Sequence, residues 1–93
     1  MFVLFAGLEV KAGQEQALAK VYAGPFTAAI STQEGFRHVW LLRPNDGGDY
    51  MLTIAFESQA LQQKWVATEL HQQVWPLMEG HLEGFTVKTY TTV

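Results

Sequence analysis

The chain has 93 residues, which is the size of one domain, and it contains no cysteine. A disulfide scaffold, a thiolate metal site and a cysteine nucleophile are therefore excluded. The net charge is −3 and the six Lys and Arg residues are scattered, which excludes the basic surface of a nucleic-acid binder. Charged residues make up only 16% of the chain, against about 25% in typical soluble domains, so we expect some apolar surface to meet a partner.

The N-terminal stretch MFVLFAGLEV is apolar, but it lacks the basic residues that begin a signal peptide. No apolar run approaches the roughly 18 residues of a membrane span. We therefore expect a cytoplasmic protein with no membrane contact. The alternation over residues 2–10 predicts the first strand, because successive strand side chains point to opposite faces.

A helical pattern begins at Gln14 and is interrupted by Gly24 and Pro25. Proline removes a backbone donor and clashes with the preceding turn. The sequence therefore predicts either a kink there or a break, with a second short helix from Pro25 to about Thr32.

Two further strands are predicted over residues 36–43 and 50–57, joined as a hairpin by a turn rich in Pro, Asn, Asp and Gly. Ser58 is a favourable N-cap for the next helix, which Pro76 should bend or end. A last strand, rich in β-branched residues, is predicted at about residues 82–92.

The order strand, helix, strand, strand, helix, strand predicts a ferredoxin-like α+β fold: a four-stranded antiparallel sheet with two helices on one face. If the other face of the sheet is exposed to solvent, its side chains should be polar. Yet the first strand alternates Phe2 and Leu4 with Val3 and Phe5, so both of its faces are apolar. We expect a homodimer that forms through the uncovered sheet face.

Two segments resemble the antibiotic biosynthesis monooxygenase family: EGFRHVWLLRP at residues 34–44, and FESQALQQKWVATELHQQVW at residues 56–75. Within the second segment, Trp65 and His71 match the family's helix Trp and His. The resemblance spans nearly the whole chain. It implies that residues 1–93 are a single domain of this kind, and that two copies form a dimeric α/β-barrel with a pocket between helices and sheet in each subunit.

Members of the family include cofactor-independent monooxygenases acting on anthrones or quinols, and haem-degrading oxygenases. The haem degraders carry an Asn on strand one, a helix Trp, and a His about ten residues after that Trp. This chain has Ala6 and Gly7 near the Asn position and Trp75 where that His would fall. The resemblance therefore implies haem degradation only if His71, one helical turn before Trp75, replaces the missing histidine as the haem ligand.

The candidate catalytic residue is His71, because histidine titrates near neutral pH and suits a pocket base. A partly exposed helix histidine is the alternative interpretation. The candidate substrate-binding residues are Trp65, Trp75, His38 and Tyr22, and ordinary core or interface packing is the alternative for each.

Alternation along the second strand predicts that His38 shares a face with Phe36 and Trp40. The histidines lack a ligand-like spacing, so no metal site is expected. A phosphate-binding glycine loop and a dinucleotide fingerprint are also absent, and we expect no bound cofactor.

Two functions of different classes remain. The first is a small cofactor-independent monooxygenase acting on a quinol, an anthrone or a similar aromatic molecule in a pocket between helices and sheet. The alternative is a non-enzymatic dimeric module that binds a ligand or haem on the same scaffold. Fold likeness alone does not choose between them.

Overall fold

The computed structural model describes residues 1–93. Its helices and strands follow in chain order: β1 (Phe2–Val10), α1 (Glu15–Val21), a π-helical turn (Tyr22–Phe26), α2 (Thr27–Ile30), β2 (Phe36–Leu42), β3 (Tyr50–Phe56), α3 (Gln59–Val66), α4 (Glu69–Glu79) and β4 (Leu82–Thr91). The strands form one antiparallel sheet in the order β2-β3-β1-β4, which confirms the ferredoxin-like α+β fold. No helix combines the length and apolar character that crossing a membrane requires.

Both helix prolines are accommodated without ending a helix. Pro25 lies inside the π-helical turn, so the expected kink takes the form of a widened turn and the chain continues directly into α2. The Thr27 hydroxyl donates to the backbone oxygen of Tyr22 at 2.6 Å, which satisfies a carbonyl in the widened turn. Pro76 likewise lies within α4, which continues to Glu79.

The second helical region is two helices, where the sequence pattern predicted one. Ser58 caps α3 as expected, with its hydroxyl accepting a backbone N–H of the first turn at 3.2 Å. The break follows from Thr68, whose hydroxyl donates to the backbone oxygen of Trp65 at 2.7 Å and accepts from the backbone N–H of His71 at 3.1 Å. One side chain thereby ends α3 and caps α4, since threonine competes with the helix for backbone groups.

A bulge at the start of β2 changes the faces of the strand. The pairing with β3 shifts between Phe36 and His38, so the expectation that Phe36 shares a face with His38 and Trp40 is wrong. Phe36 instead packs edge-on against Phe56 on the helix side, with ring centroids 6.0 Å apart. His38 and Trp40 lie on the opposite side of the sheet.

The helices cover one face of the sheet and leave the other bare. The shortest dimension of the chain is 18 Å, as expected for one layer of helices on one sheet. Only 17 of the 93 residues are buried, because the second face of the sheet has no cover. The bare side, here called the outer face, consists of Val3, Phe5, Gly7, His38, Trp40, Leu42, Met51, Thr53, Ala55, Thr86, Lys88 and Tyr90. Trp40 is 55% exposed there, and Leu42 and Tyr90 are each 47% exposed.

Candidate functional site

A cavity of about 250 Å³ lies between the helices and the sheet, and we call it the helix–sheet cavity. Apolar side chains of β1 and β3 form its floor. Its remaining walls come from α3, α4, the π-helical turn and β4. Ten of its twelve lining residues are hydrophobic, and the two polar ones are Gln62 and His71. Such a lining suits an apolar ligand with few polar groups.

An aromatic cluster forms the wall of this cavity. Phe26, which the π-helical turn carries inward, packs edge-on against Trp65 and Trp75 with centroid distances of 6.3 and 6.4 Å. Trp75 in turn packs against Phe85 of β4 at 5.2 Å. Edge-on aromatic pairs of this kind hold rings in defined orientations, which provides a rigid wall for a flat ring system.

His71 is the titratable group of the cavity. It lies in the first turn of α4, and its ring stands nearly perpendicular to Trp65 with centroids 5.0 Å apart. Its Nδ1 atom is buried and has no hydrogen-bond partner within the protein. Burial lowers the pKa of His71 below its ordinary value, because the desolvated imidazolium is disfavoured. The imidazole is therefore neutral at pH 7 and can accept a proton.

Two other predicted site residues lie outside the helix–sheet cavity. His38 stacks on Trp40 across the outer face, with centroids 4.3 Å apart and planes inclined by 19°. Tyr22 lines a separate groove beside α1, and its hydroxyl donates to the backbone oxygen of Val39 at 3.2 Å. The structure thus joins Trp65, His71 and Trp75 in one cavity, while ligand-binding roles for His38 and Tyr22 stay predictions.

Apart from the aliphatic lining, the sequence-based site omitted three cavity residues: Gln62, Phe26 and Phe85. Gln62 precedes Trp65 by three positions, a spacing that places both on one helix face, so this signal was available. Phe85 alternates with Val87 along β4 and could also have been recognised. Phe26 could not, because its direction depends on the π-helical turn.

Comparison with known proteins decides the family. The family model described as antibiotic biosynthesis monooxygenase matches residues 1–75, from β1 well into α4. This chain belongs to the antibiotic biosynthesis monooxygenase family. The family resemblance that the two segments carry is thereby confirmed. No curated protein matches the sequence.

Solved structures share the antibiotic biosynthesis monooxygenase fold with this chain. A Bordetella bronchiseptica protein provisionally assigned to the family is 17% identical, with a TM-score of 0.88 over 99% of this chain and 96% of that one. A variant of SnoaB, a cofactor-independent oxygenase from Streptomyces nogalater, is 16% identical, with a TM-score of 0.84 over 98% and 91%. A variant of MhuD with two manganese protoporphyrin IX molecules per active site is 22% identical, with a TM-score of 0.78 over 100% and 95%.

A porphyrin does not fit the helix–sheet cavity of this family member as it stands. The volume of about 250 Å³ lies below the roughly 300–1,000 Å³ of pockets for drug-sized ligands. The lining also contains no Lys or Arg that would pair with the carboxylates of a haem. No group of three His, Cys, Asp or Glu side chains lies close enough together to hold a metal ion.

The lowered pKa of His71 predicts a pH-dependent stability. As the pH falls below about 6.5, the unfolded chain binds a proton at His71 that the folded chain does not bind. The free energy of unfolding should therefore decrease with falling pH until the lower folded pKa is passed. Urea unfolding between pH 7.5 and pH 5 should show a shallower decrease for His71→Phe than for the wild type. Equal decreases would contradict the prediction.

Proposed function

We propose that this protein is a cofactor-independent monooxygenase that oxidises a small, electron-rich aromatic molecule in the helix–sheet cavity. The observation that carries the proposal is the partly buried ring of His71, the titratable group of a cavity with aromatic walls. Its Nδ1 atom has no hydrogen-bond partner in the protein, so no intramolecular bond fixes which ring nitrogen carries the proton, and the ring is free to exchange a proton with a ligand.

The first step is a proton transfer. The neutral imidazole of His71 takes a proton from an acidic hydroxyl or methylene group of the substrate, for example the methylene carbon of an anthrone. The resulting anion passes one electron to molecular oxygen, which gives a substrate radical and superoxide. The pair combines at the ring carbon as a peroxide anion, and the imidazolium returns the proton to it.

The second step forms the carbonyl product and a molecule of water. The outer OH of the carbon-bound hydroperoxide and the remaining hydrogen of that carbon leave together as water, and a carbonyl remains. One methylene and one molecule of oxygen thus give one carbonyl and one molecule of water. The protein orients the ring between its aromatic walls and keeps water away from the anion.

Oxygen uptake by the purified, chelator-treated protein tests the proposal. With a panel of quinols and anthrones, we expect protein-dependent uptake that His71→Ala slows about a hundredfold, the usual contribution of a general base. His81→Ala is the matched control, since His81 lies outside the cavity and bonds to Gln14 at 2.6 Å. Circular dichroism would verify that both variants remain folded.

Haemin titration distinguishes the monooxygenase from the alternative function, a non-enzymatic module that binds haem. A ligand-binding module for haem would show a shifted Soret band that depends on His71, whereas we expect no such band from the small, uncharged cavity. Absence of oxygen uptake across the panel, together with a His71-dependent Soret shift, would overturn the monooxygenase proposal in favour of the non-enzymatic module.

We also propose that a second copy of the chain covers the outer face. Two aromatic pairs support this: His38 on Trp40, and Phe5 edge-on against Tyr90 at 5.4 Å. Most other side chains of the face are apolar, apart from Lys88, which lies over the Tyr90 ring, and a few threonines, and Trp40 is more than half exposed in a single copy. Apolar sheet faces of this kind mark interfaces, and most homo-oligomers are two-fold dimers.

Sedimentation velocity tests the dimer. We expect the wild type to sediment as a dimer and Trp40→Glu to sediment as a monomer, because a carboxylate does not replace the buried surface of the ring and loses its hydration at this interface. Leu77→Glu is the control, since Leu77 is similarly exposed but lies on α4, in the other layer. A wild type that sediments as a monomer would show that the outer face is not the interface.

A further inference from the structure

The outer face has a depression on one side and a projection on the other. The depression has a volume of about 720 Å³ and lies over β1 and β4, where Gly7 contributes no side chain. Lys88 and Tyr90 line it from β4. The projection is the side chain of Trp40, which is 55% exposed on β2, at the opposite edge of the sheet.

Lys88 is the one charged side chain of the outer face. Its ammonium group lies over the Tyr90 ring, 5.4 Å from the ring centroid, so the positive charge borders the depression. No Asp or Glu belongs to this face, so a second copy that docks face to face offers no carboxylate from its own outer face. It does offer the Trp40 ring, and tryptophan is the aromatic side chain that attracts cations most strongly.

Two-fold symmetry determines which arrangement brings the projection and the depression together. In a two-fold interface the same patch is used twice, so each contact occurs in both directions. If β4 lay over β4 of the partner, the two Lys88 ammonium groups would meet as like charges, and the two Trp40 rings would meet as projections. If β4 lies over β2 of the partner, each depression receives one Trp40 ring and no like charges meet.

We propose that the Trp40 ring of each copy docks in the depression of the other copy, against the partner's Lys88. The two sheets then meet with β2 of each copy over β4 of its partner. This inference rests on the dimer proposed above and adds its orientation and its anchor residue. Tryptophan side chains that fill a pocket of the partner are typical anchors of an interface, because they bury a large surface on few rotatable bonds.

The register of the sheet specifies a second contact of this arrangement. Leu42, Met51, Gly7 and Thr86 form one row across the four strands. With β2 over the partner's β4, Leu42 of one copy lies over Thr86 of the other. Within one copy these two residues are about 14 Å apart, because three strand spacings of about 4.8 Å separate them.

Engineered cysteines test the orientation, since the chain has none of its own. Leu42→Cys and Thr86→Cys are made separately, and the two proteins are mixed, allowed to exchange subunits and mildly oxidised. We expect disulfide-linked dimers from the mixture and almost none from either variant alone, because a disulfide needs Cα atoms within about 7 Å of each other. Leu42→Cys mixed with Leu77→Cys is the control, because Leu77 lies on α4, in the other layer.

The outcomes separate the orientation from the dimer itself. Cross-linking of Leu42→Cys with itself, or of Thr86→Cys with itself, would overturn the inference, because it would place like strands over each other. A wild type that sediments as a dimer, with no cross-link in the mixture, would overturn the orientation and leave the dimer. A monomeric wild type would overturn both.

Lys88→Met tests the contact with the Trp40 ring. We expect it to raise the dissociation constant of the dimer about tenfold, and to leave that constant unchanged when Trp40→Leu has already removed the ring. Lys64→Met is the control, because it removes the same charge from α3, where Lys64 pairs with Glu34 at 3.1 Å. If Lys88→Met tightens the dimer, or weakens it equally in both backgrounds, the ammonium group does not contact the ring and the inference is wrong.

Discussion

Trp65→Ala should lower the free energy of unfolding by about 3–5 kcal/mol, the usual cost of removing a large aromatic side chain from a core. Trp65 is only 2% exposed and is the largest fully buried side chain of the protein. It contacts Phe26 and His71, which come from two other elements, so its loss leaves a void that no single element can close. Small domains are stable by about 5–15 kcal/mol, so this loss is a large fraction of the total.

Urea unfolding followed by circular dichroism measures this effect. Leu77→Ala is the control, because Leu77 is 48% exposed on α4 and its truncation should change the free energy by less than about 0.5 kcal/mol. Trp65→Phe should lie between the two, since it keeps part of the ring volume. If Trp65→Ala costs no more than Leu77→Ala, the tryptophan does not carry the packing of the cavity wall.

Gly35→Ala should lower the free energy of unfolding by about 2–5 kcal/mol. Gly35 lies in the connection before β2 with φ = +79°, a backbone conformation that costs other residues about 1–2 kcal/mol. A Cβ atom at this position would also collide with the side chain of Leu61 on α3. Overpacking of this kind costs about 1–3 kcal/mol in addition.

Gly13→Ala separates these two contributions. Gly13 has almost the same backbone angle, φ = +80°, but nothing lies within 4 Å of its added Cβ atom. Chemical denaturation should therefore show a loss of about 1–2 kcal/mol for Gly13→Ala and a larger loss for Gly35→Ala. Equal losses would mean that Leu61 moves aside without cost and that close packing of α3 on this loop is not required.

Gly35 affects the geometry of the helix–sheet cavity as well as the stability of the fold. The close approach of its backbone lets α3 lie near the sheet, and α3 carries Gln62 and Trp65 into the cavity. We therefore expect Gly35→Ala to weaken binding of aromatic ligands as well as folding, because a shifted α3 displaces both side chains.

Much of the fold was predictable because it follows from local rules. Alternation along β1 assigned its two faces correctly, since successive side chains of a strand must point to opposite sides. Ser58 caps α3 as predicted, because its short side chain reaches the free N–H groups of the first turn. Trp65 and His71 were matched to the family's helix Trp and His from the sequence, and both line the helix–sheet cavity, while their roles stay predictions.

Features that depend on competition between backbone groups were not predictable in this way. The bulge at Phe36 reversed the face expected for that residue, and Thr68 divided one predicted helix into two. The π-helical turn carries Phe26 into the wall of the cavity, whereas the sequence predicted a kink or a break at Gly24 and Pro25 without the widened turn. Each is a shift of one or two residues in a hydrogen-bond pattern, and it redirects every side chain nearby.

The sequence by itself determined the order of the elements, the apolar character of both sheet faces and the family. Only the tertiary structure decided that His38 lies on the outer face, that Tyr22 borders a different groove, and that Gln62 faces the same cavity as His71. The physical reason is that a residue's own element sets its local direction through the fixed geometry of strand and helix. Which side chains from different elements meet is set by packing, and packing depends on the whole chain.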